Sequence, residues 1–125
     1  MYRKLNKMEK DWIDKLMNVE FLGKEILLNQ LSKAKIIYEQ GYDYISIKFK
    51  IESEAELYPY HIRVPVEMRA YQKLSAPIIF LLHVLEGTVD ELEIVAADAA
   101  KIDVNNIEMN NVEYEINKDI ALGLE

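Results

Sequence analysis

Four carboxylates, Glu86, Asp90, Glu91 and Glu93, crowd into the stretch EGTVDELE, and His83 precedes them inside the aliphatic run PIIFLLHVLE. These residue types could do acid–base chemistry. Carboxylates at alternate strand positions stand about 7 Å apart, a separation that would suit a glycosidase-type pair or a weak cation site. Across a turn, Glu91 could partner His83 as a general base. A solvated strand face is the commoner origin of alternating acids, and a half-buried histidine satisfied by one hydrogen bond is commoner than a catalytic one. Neither histidine, His61 or His83, has a second ligand at zinc spacing on a helix, so the sequence offers no metal site.

Other chemistries lack their residues. There is no cysteine, which removes disulfides, thiolate zinc sites and a thiol nucleophile. Gly23, Gly41, Gly87 and Gly123 are too scattered for a phosphate-cradling loop or a dinucleotide fingerprint. Ser32, Ser46, Ser53 and Ser75 lie outside any nucleophile-elbow pattern. No cofactor is implied.

The charge points to a surface. Residues 1–50 carry ten Lys and Arg against seven acids, a balance of +3, whereas residues 51–125 carry five against fifteen, a balance of −10. Such a segment repels phosphate backbones and steers basic partners toward itself, so direct nucleic-acid binding is not expected and a basic protein partner is. Acidity also serves plain solubility. Among the eight tyrosines, Tyr42, Tyr44, Tyr58, Tyr60 and Tyr71 fall at strand ends or outward positions, where a large side chain adds contact area at little entropic cost.

The elements that would carry these residues follow from periodicity. Met8, Trp12 and Leu16 recur at helical spacing from Asn6 to about Asn18, with Asn6 and Glu9 set as a capping box. A second helix runs from near Gly23 to near Lys33 on Ile26, Leu27, Gln30 and Leu31. The stretch YISIKFKIE then alternates strictly, with Ile45, Ile47, Phe49 and Ile51 on one face. HIRVPVEMRAY repeats the pattern through Val66, Met68 and Ala70, and Pro65, lacking a donor, puts that strand at an edge or at a bulge. PIIFLLHVLE reads as a central strand, Glu86-Gly87 as a tight turn and VDELEIVAA as the returning strand. Residues 98–111 read as irregular and NVEYEIN as a last strand. No apolar run approaches the roughly 20 residues of a membrane helix, and the amphipathic N-terminus is unlike a signal peptide.

The stretches LGKEILLNQLSKAKI and FLLHVLEGTVDELEIVAAD, within residues 22–98, resemble a family of small uncharacterised bacterial proteins with the patterns G-x-E-x-L-x-x-Q-L and x-G-x-x-x-E-L-E-I. Some domains of that kind look similar to immunity proteins, which bind and silence a toxin of the same cell. The resemblance implies no catalytic residue, and it implies that the strand bearing Glu91 and Glu93 would occupy the basic site of a nuclease toxin.

The expectation is therefore an α+β domain, two N-terminal helices packed on a largely antiparallel sheet of five or six strands. It spans residues 1–120, with 121–125 a disordered tail or an expression-vector scar. Its function is to bind a basic protein without catalysis, as an immunity-type inhibitor would, through Tyr58, Tyr60, Glu91 and Glu93. The alternative is a small-molecule binder or cryptic enzyme using His83 and Glu91 in a pocket between helices and sheet. The expected protein is cytoplasmic, free of membrane contact, and a monomer or weak homodimer.

Overall fold

The computed structural model describes residues 1–73 and 76–122. Ser75 and the expected tail from Gly123 onward lie outside the described residues.

A two-residue strand, β1 (Arg3–Lys4), precedes the helices α1 (Lys7–Leu16) and α2 (Lys24–Ser32). Then follow β2 (Lys35–Gln40), β3 (Tyr44–Lys50), β4 (Val66–Gln72), β5 (Ile78–Leu85), β6 (Thr88–Ala96) and β7 (Ile107–Ile116). The strands form one antiparallel sheet of seven in the order β1-β2-β3-β6-β5-β4-β7. The α+β class holds, and the expected five or six strands become seven, with a strand rather than a helix first. The two additions, β1 and β2, were hard to read for a physical reason. β1 is too short to show a period, and in β2 the pair Ile36-Ile37 breaks the alternation, one side chain buried and the other exposed.

Local chemistry explains the helices. The Asn6 side chain accepts from the Glu9 N–H at 2.8 Å, and Glu9 accepts from the Asn6 N–H at 2.9 Å, so the capping box forms as read. Glu9 is fully buried and takes both of its oxygens to Arg3, at 2.8 and 2.6 Å, which ties β1 to the first turn of α1. α1 lies over β4 and α2 over β6. Trp12 stands edge-on against Phe80 with ring centroids 5.9 Å apart, and Leu16, Leu27 and Leu31 complete the helix side of the core. The sheet side is Ile45, Ile47, Val66, Met68, Ile78, Phe80, Leu82, Leu92 and Ile94, all buried, as the alternation predicts.

The β5–β6 hairpin turns on Glu86 and Gly87, with φ of 53° and 85°. Positive φ at both central residues marks a turn whose twist matches that of the strands. A register shift between His83 and Val84 leaves Asp90 as the extra residue. Of the two alternatives for the strand after Pro65, the edge is corrected, because β4 lies between β5 and β7, whereas an irregularity is present, between Arg69 and Tyr71 against β7. Pro65 is buried just before the strand, which starts at Val66 instead of His61. β7 also begins four residues earlier than NVEYEIN, because Ile107 and Glu108 pair with Gln72 and Tyr71 past an irregularity that interrupts the alternation. Beyond β7, Phe21 and Ala121 form an isolated antiparallel bridge. Among the described residues no helix is long and apolar enough to cross a membrane.

Candidate functional site: the uncovered face of the sheet

The helices cover one face of the sheet, and the residues out of phase with the core line the other. On β6, β5, β4 and β7 these are Glu91, Glu93 and Val95; Ile79, Leu81 and His83; Glu67, Arg69 and Tyr71; and Glu113 and Glu115. Glu108, opposite Tyr71 in register, joins them, so six carboxylates share this face of the four strands with one guanidinium, that of Arg69. On β2 and β3 the same face carries Lys35, Lys48 and Lys50 against Glu39. The strand order thus turns the charge asymmetry along the chain into a polarised surface, acidic toward β7 and basic toward β2.

Polar contacts knit the middle of this face. The Ser46 hydroxyl donates to Glu91 Oε2 at 2.6 Å, and Lys48 Nζ lies 3.5 Å from Glu91 Oε1. His83 Nε2 lies 2.8 Å from Glu93 Oε1, while Arg63 Nε donates to His83 Nδ1 at 3.3 Å. Accepting from Arg63 requires a lone pair on Nδ1, which places the imidazole proton on Nε2, facing Glu93. Two corrections follow. The carboxylate that His83 bonds is Glu93, not Glu91, even though Glu91 is opposite it in register. His83 also points away from the helices, in phase with Ile79 and Leu81, so the expected pocket between helices and sheet does not contain it.

Both nitrogens of His83 are engaged, and the Ser46 hydroxyl donates to the Glu91 carboxylate. A nucleophile and its base would need to share a hydrogen bond. Among the described residues no group of three or more His, Asp or Glu side chains could hold a metal ion.

The tyrosines divide. Tyr58 is corrected from a surface residue to a core one: it is 4% exposed, and its hydroxyl donates to the Leu22 carbonyl at 2.7 Å. Burial pushes its phenol up to about 12. Tyr60 is exposed and stands edge-on to Tyr58, with centroids 5.3 Å apart. On the acidic face Tyr71 donates to Glu113 at 2.6 Å, and at the basic end Tyr44 donates to Glu39 at 2.9 Å. Each carboxylate acceptor holds its phenol proton and raises that tyrosine above its ordinary value.

A cleft of about 630 Å³ lies at the hairpin end of the sheet, walled by Leu57, Tyr58, Tyr60, Ile62, Arg63 and Leu85. Leu57 and Leu85 are exposed there. Sequence reading missed Leu57, Leu85 and Arg63 as site residues. Leu57 sits in a segment without a period, so nothing marks it as facing solvent. Arg63 reaches His83 only because residues 59–63 run beside the end of β5, where the Val84 N–H donates to the Arg63 carbonyl at 2.7 Å.

Compared with known proteins, the chain matches no family model, no curated protein and no solved structure.

Proposed function

We propose that this is a noncatalytic domain that binds a basic protein on the acidic half of its uncovered sheet face, in the manner of an immunity-type inhibitor. The observation that carries the reading is the six-to-one excess of carboxylates over guanidinium or ammonium groups on the uncovered face of β6, β5, β4 and β7. Charge of one sign on one face raises the encounter rate with an oppositely charged partner and makes binding sensitive to salt. Tyr71 and the partly buried Ile79, Leu81 and Val95 supply contact area among the charges. With Tyr58 in the core, the contact residues of this reading are Glu91 and Glu93 together with Glu67, Tyr71, Glu113 and Glu115, and Tyr60 stands apart beside the cleft.

The test uses the intact protein as bait in lysate of its own cells at low and high salt, beside a Glu67→Lys/Glu113→Lys/Glu115→Lys variant that retains its fold by circular dichroism. One basic protein retained by the native bait, released by salt and absent from the variant supports the reading. If that protein has an activity that the bait inhibits at equimolar amounts, the inhibitor form holds. Equal retention by native and variant baits, or an empty native bait at low salt, overturns it.

One observation favours a second reading. The hairpin-end cleft has the volume of a small-molecule site, and its Arg63 is the residue that touches His83. A compound that raises the melting temperature of the native protein and not of an Arg63→Gln variant would support ligand binding there.

A further inference from the structure

The two edges of the sheet are unlike. On one side the edge is the two residues of β1 and, beyond its pairing, residues 37–40 of β2, whereas on the other β7 exposes a run of ten with no proline and no lysine in it. Among the described residues no strand pairs with the outer side of β7, so its main chain offers a row of donors and acceptors to an incoming strand.

The orientation of that row follows from the ladder. The Asn117 N–H donates to the Pro65 carbonyl at 3.0 Å, and Glu115 and Glu113 face Glu67 and Arg69 in the same register. Antiparallel partners alternate between bonded and non-bonded pairs. Residues 113, 115 and 117 therefore turn their main-chain groups toward β4, while Tyr114 and Ile116 turn theirs to the open edge. A strand added there would bond to Tyr114 and Ile116. Its residues opposite Glu113 and Glu115 would then be non-bonded pairs, where side chains approach most closely.

The side chains select the occupant. Glu113 and Glu115 stand on the uncovered face, and Glu115 keeps two thirds of its side chain exposed, at 66%. Arg69 is shared between Glu115 at 2.9 Å and Glu67 at 3.4 Å, so one cation serves two carboxylates. On the helix side Tyr114 and Ile116 are partly buried against the core. A second copy of this chain would set carboxylates beside carboxylates, and like charges across a ladder are destabilising.

We propose that the open edge of β7 receives an extended segment of the partner protein with Lys or Arg at alternate positions and apolar residues between them. This rests on the basic-partner reading above and adds where and in what conformation the partner binds. The cations would pair with Glu113 and Glu115, and the apolar residues would extend the layer begun by Tyr114 and Ile116.

The probe is a synthetic peptide of about nine residues, a strand's length, alternating Lys and Val and titrated at low salt with amide hydrogen exchange as the readout. The expected result is protection of the Tyr114 and Ile116 amides. Affinity should fall at least about tenfold for the Glu113→Lys/Glu115→Lys variant, and as far for a peptide N-methylated along one edge. Equal affinity for the N-methylated peptide, or protection confined to β3 and β6, would overturn the edge assignment while leaving a basic partner on the sheet face. Protection of Tyr114 and Ile116 in the peptide-free protein, with a dimer mass, would make a second copy the occupant and overturn the proposal. No binding of the peptide to the native protein would overturn it too, and the bait experiment then decides the basic-partner reading separately.

Discussion

Gln30 on α2 and Gly87 in the β5–β6 turn are joined by a hydrogen bond of 2.9 Å from Gln30 Nε2 to the Gly87 carbonyl, across 57 positions of chain. The same amide donates to the Glu56 carbonyl at 2.8 Å and accepts from the Val89 N–H at 2.9 Å. One buried side chain thus holds the hairpin, the 51–57 segment and a helix together, next to the walls of the cleft.

Gln30→Leu should therefore lower stability by about 2–4 kcal/mol, because a buried N–H and two carbonyls lose their partner. Denaturation midpoints in urea check this. A loss below about 0.5 kcal/mol would mean that water replaces the amide without cost.

The turn residues should respond in opposite directions. Glu86→Asn places a residue better suited to positive φ and should stabilise by roughly 0.5 kcal/mol. Gly87→Ala should destabilise by about 1–2 kcal/mol, since φ is 85° and a Cβ would stand 3.0 Å from that of Leu57. Thermal melts of both variants measure the difference.

Arg3 and Glu9 form a third test. The bonded Glu9 carboxylate raises the Arg3 guanidinium above its ordinary value. Arg3→Ala leaves a buried carboxylate held only by Asn6, and should cost about 1–3 kcal/mol. Hydrogen exchange should quicken first at the start of α1. Unchanged exchange there would show that the cap alone holds the helix.

Alkali should unfold the protein early. Burial keeps the Tyr58 proton to about 12, against an ordinary value of 10.0. The folded state then holds a proton that the unfolded chain releases, so this contribution is complete below pH 10 and drains away as pH rises toward 12. The loss should reach about 2–3 kcal/mol, with Tyr38 and Tyr114, both raised by burial, acting in the same direction. Urea midpoints between pH 8 and pH 11.5 measure it, and Tyr58→Phe should lessen the slope.

Much of the fold is legible in the chain. Period 3.6 around Trp12 and Leu16, period 2 around Ile45 and Ile47, and the Glu86-Gly87 turn each depend on residues near one another, and each forms as read. The site is less legible. His83 and Glu91 are cross-strand neighbours, yet the imidazole reaches diagonally to Glu93 because Ser46 and Lys48 already hold Glu91. Tyr58 looks like its exposed neighbour Tyr60 until the chain folds it under Leu22 and Gly23.

By itself the sequence determined which residues alternate into a core, where the helix cap and hairpin turn lie, and that the second half of the chain is acidic. Those properties are local or compositional. Only the tertiary structure decided that β4 is interior, that β7 is the open edge, and that carboxylates from three strands share one face with Arg69. Strand order is set by packing between segments distant in sequence, and a strand's own alternation is the same whichever neighbour it takes.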